Sequence, residues 1–295
     1  MITLQTQDLS KSYGSIKALD KLNMTVETGQ IMGLLGPNGS GKTTTLGIIL
    51  SVLSASSGTY EWFGGQYGKD HRRHIGSILE TPNFFPYLNA DENLDIVRRI
   101  KRAPKQDFTE LLKLVRLVGR RKSKFNTYSL GMKQRLAIAA TLIGDPQVVI
   151  FDEPTNGLDP EGIAEVRNTL TKIAERGKTV FMASHILAEV EKVCTHVTII
   201  KKGKLLASGP VGSILSNDRT VIISSSDNYK LMTILKSIPE IKSISEVDGR
   251  LECIAVEEVS ISDINRQAVN NGIDIQHLEN RKRKLEEEFL EITKS

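Results

Sequence analysis

One stretch of nine residues limits what this chain can fold into more than any other, the sequence GPNGSGKTT at residues 36–44. Its glycines let the backbone take turns that other residues avoid, so that successive N–H groups can converge on phosphate oxygens. An apolar strand is predicted before it at 31–35, and a helix is predicted after it at 42–53, with its positive end towards the loop. We call residues 36–44 the phosphate loop, and its spacing predicts a nucleotide site.

Two side chains of the phosphate loop carry the chemistry of such a site. The ammonium of Lys42 is predicted to reach the β- and γ-phosphates of the nucleotide, and the hydroxyl of Thr43 is predicted to ligate Mg²⁺. The predicted nucleotide ligands of the loop are Gly36, Asn38, Gly39, Ser40, Gly41, Lys42, Thr43 and Thr44.

Length and charge bound the class of protein. A chain of 295 residues is longer than one compact core usually needs, which predicts two domains. The net charge of +4 is too small to indicate a nucleic-acid-binding protein. Residues 96–135, the basic segment, hold thirteen Lys and Arg against two carboxylates. They are either solvated helix faces or a surface for anionic lipid headgroups or an acidic partner.

The sequence contains neither a membrane span nor a secretion signal. No run approaches the roughly 18 apolar residues that a span requires, and the N-terminus lacks a charged and then apolar segment, so a soluble, cytosolic chain is expected. Cys194 and Cys253 have no cysteine or histidine at metal-ligand spacing, and buried free thiols are expected.

Tyr13 lies in a turn between strands predicted at 2–9 and 22–26. An aromatic ring ahead of a phosphate loop can stack on adenine, whereas a lone tyrosine in a turn is usually a surface ring. Both interpretations stay open from the residues alone. Further along, from about 88 to 118, apolar residues recur at helical spacing and predict a helical insertion.

Polar residues follow two further predicted strands. The apolar run 148–151 ends in Asp152 and Glu153, as expected of a buried parallel strand that delivers acids to the carboxyl edge of a sheet. Because side chains alternate along a strand, we expect Asp152 to face the Mg²⁺ and Glu153 to reach another position at the phosphate. His185 follows a strand predicted at 179–183 and reaches the same edge, unless it is an ordinary polar residue.

Ser129 is placed to cap a helix that runs through Leu136 to Leu142. A small hydroxyl beside free N–H groups at a helix start can also bind a γ-phosphate, although most capped helices bind nothing. The residues alone therefore predict a capped helix.

These elements, in this order, resemble the ATPase subunit of an ABC transporter over residues 1 to about 215. The resemblance implies an α/β fold, a P-loop ABC ATPase domain at 1–215 with a helical subdomain at about 88–145. Ser129 to Met132 match the signature motif of that family. The strand that ends in Asp152 and Glu153 is followed, as in that family, by a segment at 154–159 that ends in Asp159. ATP and Mg²⁺ are the implied cofactors.

The resemblance also implies roles within one chain. Tyr13 stacks on adenine, and Asp152 holds Mg²⁺ through water. Glu153 polarises the attacking water, and His185, which matches the family's switch histidine, contacts the γ-phosphate. Thr43 and Glu80 are the other implied metal ligands, beside Asp152. Glu153 and His185 are the implied catalytic residues.

Other implied roles need a partner. Two such domains, as a homodimer or with a close paralogue, sandwich two ATP molecules, so that Ser129 and Gly131 of one chain act on the nucleotide of the other. Asp159 is also an implied nucleotide-binding residue, with no implied role across the interface. Separate membrane-spanning transporter subunits are the other implied partners, which places the chain at the cytoplasmic face of the membrane.

Two positions depart from the family pattern. The signature reads Tyr-Ser-Leu-Gly-Met where Leu-Ser-Gly-Gly-Gln is expected, so Leu130 and Met132 replace a small and a polar residue. Glu80 stands where the family usually has glutamine. A carboxylate there can bind Mg²⁺ but cannot donate a hydrogen bond unless it is protonated, and the alternative is a neutral variant. The segment after Glu80 resembles exporter ATPases of bacitracin and lantibiotic resistance.

The tail, residues 219–295, predicts a separate domain. Its order of strand, helix, hairpin, helix and strand suggests a small α+β, ferredoxin-like fold, with Asp248 and Gly249 in the hairpin turn. A terminal helix is predicted to align Leu285, Phe289 and Ile292. Docking to the main domain or to the dimer partner is one interpretation of this domain, and ligand sensing is another.

The sequence thus predicts an ATP-hydrolysing subunit that powers export of a drug, antimicrobial peptide or lipid-like molecule through separate membrane subunits. A soluble ABC-type ATPase that acts on nucleic acid or ribosomes is the rival, but such proteins usually carry two cassettes or an inserted coiled coil or zinc module. A nucleotide kinase would explain the phosphate loop alone. No nucleic-acid partner is expected.

Overall fold

The computed structural model describes residues 1–79, 83–214, 219–256 and 259–282. The chain divides into two compact units, Met1–Val211 and Gly212–Ser295, each with its own core. Glu80 and the predicted terminal helix lie outside the described residues. Within the described ranges, no helix has the length and apolar character that crossing a membrane requires.

A six-stranded sheet in the order β5-β6-β7-β3-β8-β9 is the framework of the first unit. All its neighbouring strands are parallel except β8 and β9. Every residue of β3, β6 and β7 is buried, as expected of central parallel strands, and their carboxyl ends form one edge of the sheet. The strands are β3 Ile31–Leu35, β5 Ile75–Ile78, β6 Val148–Asp152, β7 Thr179–Ser184, β8 His196–Lys201 and β9 Lys204–Pro210.

A second, antiparallel sheet has the order β2-β1-β4, with β1 Ile2–Tyr13, β2 Ile16–Glu27 and β4 Ser57–Trp62. β1 and β2 are longer than the sequence predicts. Their pairing continues to the turn, where Tyr13 opposes Ile16, through several register shifts that break the alternation of apolar residues. The prediction therefore misses the last part of β1 and the first part of β2.

The helices of the first unit begin where local chemistry predicts. Asn89 and Glu92 form a capping box at the start of α2, and Ser129 caps α4. α1 is shorter than predicted, because the chain turns at Ser51, which has a φ of +59°. The helices are α1 Lys42–Ile49, α2 Ala90–Ile100, α3 Thr109–Leu114, α4 Leu130–Thr141, α5 Pro160–Glu175 and α6 Leu187–Val193, and α7 Val211–Ile214 begins at the last residue of the unit.

The second unit has the ferredoxin-like fold that the sequence predicts. Its four strands are antiparallel in the order β11-β12-β10-β13, and α8 and α9 contribute to one apolar core. Asp248 and Gly249 both have positive φ, as a two-residue hairpin turn requires. The elements are β10 Arg219–Ser225, α8 Asn228–Leu235, β11 Ile241–Val247, β12 Arg250–Ala255, α9 Ile261–Asn270 and β13 Ile275–Lys282.

Candidate nucleotide site

The phosphate loop connects β3 to α1 and accepts only glycine at two positions. A Cβ atom on Gly36 would lie 2.3 Å from the carbonyl oxygen of Ile200. Gly41 has a φ of +108°, and a Cβ atom there would lie 2.6 Å from the carbonyl oxygen of Ala18. The packing of the loop against its neighbours thus explains the spacing of these glycines, and it fixes the direction in which α1 begins.

The start of α1 has the features of an anion site. Gly41 occupies the N-cap position, and no side chain caps the helix, which leaves N–H groups of the first turn for a ligand. The Ser40 hydroxyl is buried and, among the described residues, has no hydrogen-bond partner. Asn38 and Gly39 are exposed at the tip of the loop, and Thr44 is half-buried. This cradle fits a phosphate chain.

Lys42 closes the loop upon itself. Its side chain is only 6% exposed, and its ammonium donates to the carbonyl oxygens of Gly36 at 2.8 Å and Pro37 at 3.3 Å. The same nitrogen lies 3.4 Å from a carboxylate oxygen of Glu153. The carboxylate therefore faces Lys42 at the place where a phosphate would bring negative charge.

Thr43 and Asp152 meet across the site. The Thr43 hydroxyl donates a hydrogen bond of 3.0 Å to Oδ2 of Asp152, the last residue of β6. A hydroxyl and a carboxylate are hard oxygen ligands, which suit Mg²⁺. The donor set therefore fits the predicted metal.

Glu153 reaches the site in a way that strand alternation does not describe. β6 ends at Asp152, and Glu153 has a φ of +48°, an uncommon conformation for a residue with a side chain. Its backbone N–H donates to the carbonyl oxygen of Ala183 at 3.0 Å, which holds the turn to β7. The prediction that strand alternation directs the side chain of Glu153 is therefore corrected. The left-handed conformation of Glu153, and not the pleat of β6, sets the direction of its carboxylate.

His185 follows β7 and contacts Glu153 directly. Its Nδ1 lies 2.8 Å from Oε2 of Glu153, and its backbone N–H donates to the same oxygen at 3.4 Å. Lys42 and His185 thus hold the two oxygens of one carboxylate. The His185 side chain remains 37% exposed, so the ring borders open space beside the loop.

The signature segment contacts its own helix. The Ser129 hydroxyl accepts the N–H of Met132 at 3.3 Å, as the N-cap of α4, and the carbonyl oxygen of Gly131 accepts from Arg135 at 3.4 Å. Ser129 is exposed, and Leu130 is 47% exposed. Their action across a dimer interface stays a prediction.

Two other predicted nucleotide contacts lie at the surface. Tyr13 ends β1 with 47% of its surface exposed, and the Lys11 ammonium lies 5.2 Å from the centre of its ring. Asp159 caps α5 by accepting the N–H of Gly162 at 3.0 Å. Adenine stacking by Tyr13 and nucleotide contact by Asp159 stay predictions.

Part of the basic segment is structural, which the sequence did not indicate. The Lys101 ammonium donates to the carbonyl oxygens of Ala140, Thr141 and Ile143, at 2.9 to 3.2 Å, and so fastens the end of α4. Burial lowers the pKa of Lys101 to about 8, although these three acceptors favour its charged form. The side chain of Arg98 is 15% exposed and pairs with Asp95 at 2.6 Å.

This finding corrects one expectation. Both interpretations of the basic segment place its charges at the surface, where reversal of Arg98, Arg99 and Lys101 to glutamate would spare the fold. For Arg98 and Lys101 a surface role alone is not what the structure shows, because each donates to a backbone carbonyl within residues 88–145. Lys101 and its acceptors are about 40 residues apart, so no local pattern could reveal the contact.

Comparison with known proteins agrees with this geometry. Residues 19–156 match the family model described as "ABC transporter". The bacitracin transport ATP-binding protein BcrA of Bacillus licheniformis is 38% identical, covering 98% of this chain and 96% of that protein. The lantibiotic transport ATP-binding protein SrtF of Streptococcus pyogenes is 39% identical, covering 69% of this chain and 89% of that protein.

The chain belongs to the ABC transporter family. A solved structure of the ATP-binding cassette MJ0796, a dimer bound to ADP and Pi, is 27% identical with a TM-score of 0.62, covering 70% of this chain and 98% of that one. The predicted fold class and the predicted ATPase activity are confirmed, and the protein binds and hydrolyses ATP. The relatives give no support to the rival function on nucleic acid or ribosomes.

Proposed function

We propose that this ABC ATPase powers the export of a peptide antibiotic or a similar amphipathic molecule through separate membrane-spanning subunits. The observation that carries the proposal is the convergence of Lys42, Thr43, Asp152, Glu153 and His185 at one sheet edge, in a chain similar over nearly its whole length to a bacitracin transport ATPase. The substrate class rests on the relatives, since cargo contacts would lie in the membrane subunits.

Each residue of the site has a role in this proposal. Thr43 and Asp152 would hold Mg²⁺, with Glu80 as the proposed third metal ligand, and the ion when bound would supply positive charge against the phosphates. ATP displaces Glu153 from Lys42, which then binds the β- and γ-phosphates. Glu153 accepts the proton of the attacking water, while His185 fixes the direction of that carboxylate and reaches the γ-phosphate.

The remaining predicted residues complete the site from a second ATPase domain. Tyr13 stacks on the adenine of its own chain, while Ser129, Gly131 and Asp159 face the nucleotide held by the partner. The first unit, Met1–Val211, works as the ATPase domain, and the second unit is an accessory domain. The assembly lies on the cytoplasmic face of the membrane, bound to its membrane subunits.

Reconstitution tests this function. The chain is purified with its membrane-spanning subunits, placed in proteoliposomes, and assayed for ATP hydrolysis and for movement of labelled bacitracin. Peptide movement that needs hydrolysable ATP and stops in Glu153→Gln supports the proposal. Hydrolysis that is stimulated by ribosomes or DNA, without effect of the membrane subunits, would contradict it.

A further inference from the structure

A cavity of about 650 Å³ lies away from the phosphate loop, at the far ends of α2 and α4. It is lined by the end of the 3₁₀ segment Gly68–His74, by residues 100–104 at the end of α2, and by residues 143–144 after α4. All its lining residues belong to the first unit. None of its lining residues has a proposed role in ATP binding or hydrolysis.

The cavity is rich in positive charge. Arg72, Arg73 and Arg102 line it, and among its described lining residues there is no carboxylate. Arg73 lies 3.5 Å from Asp70 outside the cavity, in a pair where both side chains are more than 70% exposed and therefore weakly coupled. Lys101 also lines the cavity, but its ammonium is already engaged by three carbonyl oxygens at the end of α4.

Arg102 occupies a position that usually belongs to glycine. Its φ is +53°, its N–H donates to the carbonyl oxygen of Arg99, and the next N–H, of Ala103, donates to that of Arg98. These two bonds form the Schellman motif that ends α2, in which the left-handed residue is most often glycine. Arginine is less favourable than glycine in this conformation, and the turn places residue 102 at the cavity.

Apolar side chains accompany the arginines. Ile75 and Ile143 are buried at the cavity, whereas Ile100 is 75% exposed at its margin. An exposed isoleucine beside arginines suits a ligand with an apolar body and an anionic group. Guanidinium groups bind phosphate through paired N–H donors, more specifically than a point charge would.

We propose that this cavity binds a phosphate group attached to an apolar body, such as an anionic phospholipid. Arg72, Arg73 and Arg102 hold the phosphate, and Ile100 contacts the apolar part. The source is either the membrane surface or a soluble phosphorylated amphiphile, which share this chemistry. The site is separate from the nucleotide site and does not depend on its occupancy.

Vesicle binding by the full chain tests the proposal, with Arg102→Gly as the central variant. Glycine relieves the strain at this position, so the melting temperature is expected to rise by about 2 to 4 °C. Binding to phosphatidylcholine vesicles that contain phosphatidylglycerol is expected to weaken about fivefold, since each basic side chain at an anionic surface contributes about 1 kcal/mol. A more stable protein that binds less cannot be explained by misfolding.

A triple variant and its charge-matched control sharpen the test. Arg72→Gln with Arg73→Gln and Arg102→Gly is expected to lose vesicle binding. The control removes three cations of the α5 region by Arg167→Gln, Lys172→Gln and Arg176→Gln, and it is expected to bind like the parent. Equal loss in both triple variants would overturn the proposal in favour of general attraction.

Further probes address the apolar part and the source. Ile100→Ser is expected to weaken binding of phosphatidylglycerol, measured with short-chain monomers where these bind and with vesicles otherwise, and inorganic phosphate is expected to compete poorly. Equal affinity for monomers and vesicles identifies a soluble amphiphile, whereas binding to vesicles alone identifies the membrane.

Tight binding of inorganic phosphate with no effect of Ile100→Ser would overturn the proposal. Binding of neither lipid form, with recruitment to the membrane subunits still dependent on these arginines, would overturn it in favour of an acidic protein segment.

Discussion

The two halves of the nucleotide site differ in how many of their predicted residues contact one another within one chain. In the phosphate-loop half, Lys42, Thr43, Asp152, Glu153 and His185 contact one another, although they come from three separate parts of the sequence. In the signature half, Ser129 and Asp159 cap helices and otherwise face outwards. The groups that the proposed function assigns to catalysis are therefore assembled within one chain, whereas the same proposal assigns completion of the signature half to a partner.

Glu153→Gln is expected to have the largest effect on this comparison. The amide cannot accept the proton of the attacking water, so the hydrolysis rate is expected to fall by about 10² to 10⁴. Nucleotide affinity is expected to be retained or to rise, because the charge that competes for Lys42 is gone. Single-turnover hydrolysis and nucleotide titration measure the two effects, and a rate close to the parent's would remove Glu153 from its proposed role.

Lys42→Ala is expected to act on binding rather than on chemistry. Loss of charge-assisted hydrogen bonds to the phosphates is expected to weaken ATP affinity by about 10- to 100-fold. Lys42→Arg serves as the control that keeps the charge but not the shape. Fluorescent-nucleotide titration measures affinity, and an unchanged dissociation constant in Lys42→Ala would mean that the ammonium does not reach the nucleotide.

Ser129→Asp separates the two functions of the signature serine. Aspartate caps helices about as well as serine, so the free energy of unfolding is expected to stay within about 0.5 kcal/mol of the parent's. The added negative charge is expected to repel the partner's γ-phosphate and to lower hydrolysis by at least about tenfold. Ser129→Ala is the reverse control, which loses about 1 kcal/mol of helix capping. Full activity in Ser129→Asp would confine Ser129 to its capping role.

Lys101 gives the smallest expected effect, a pH dependence of stability. Because burial lowers its pKa to about 8 in the folded protein, the unfolded chain binds more protons between about pH 8 and the ordinary lysine pKa of 10.5. The free energy of unfolding of the parent is therefore expected to rise across this interval relative to Lys101→Met. Lys101 is nevertheless an exposed residue by its accessible surface, so solvent screening keeps the gain under about 1 kcal/mol. Denaturant melts at several pH values measure the difference in the free energy of unfolding between the parent and Lys101→Met. A difference that falls as the pH rises would contradict a lowered pKa of Lys101.

The sequence was most informative where local chemistry determines local structure. The glycines of the phosphate loop, the cap at Ser129 and the Asp248-Gly249 turn are each required by the backbone that surrounds them. A short buried strand such as β6 can also be predicted from the sequence, because a continuous run of apolar residues is compatible with few other structures.

Other features depend on contacts between distant residues and could not be read in this way. The contact of Lys42 with Glu153 depends on the left-handed turn after β6, for which the sequence carries no clear sign. The full lengths of β1 and β2 depend on shifts of register, and the contacts of the Lys101 ammonium depend on the packing of α2 against the end of α4.

Complementation between two inactive variants tests most directly whether a second copy of this chain completes the site. Lys42→Ala retains a working signature, and Ser129→Asp retains a working phosphate loop. Equal amounts of the two, mixed with the membrane subunits, form mixed dimers in which one of two sites is intact, so up to about a quarter of the parent's ATPase rate is expected from a twofold dimer. A mixture no more active than the average of its two components would contradict the account.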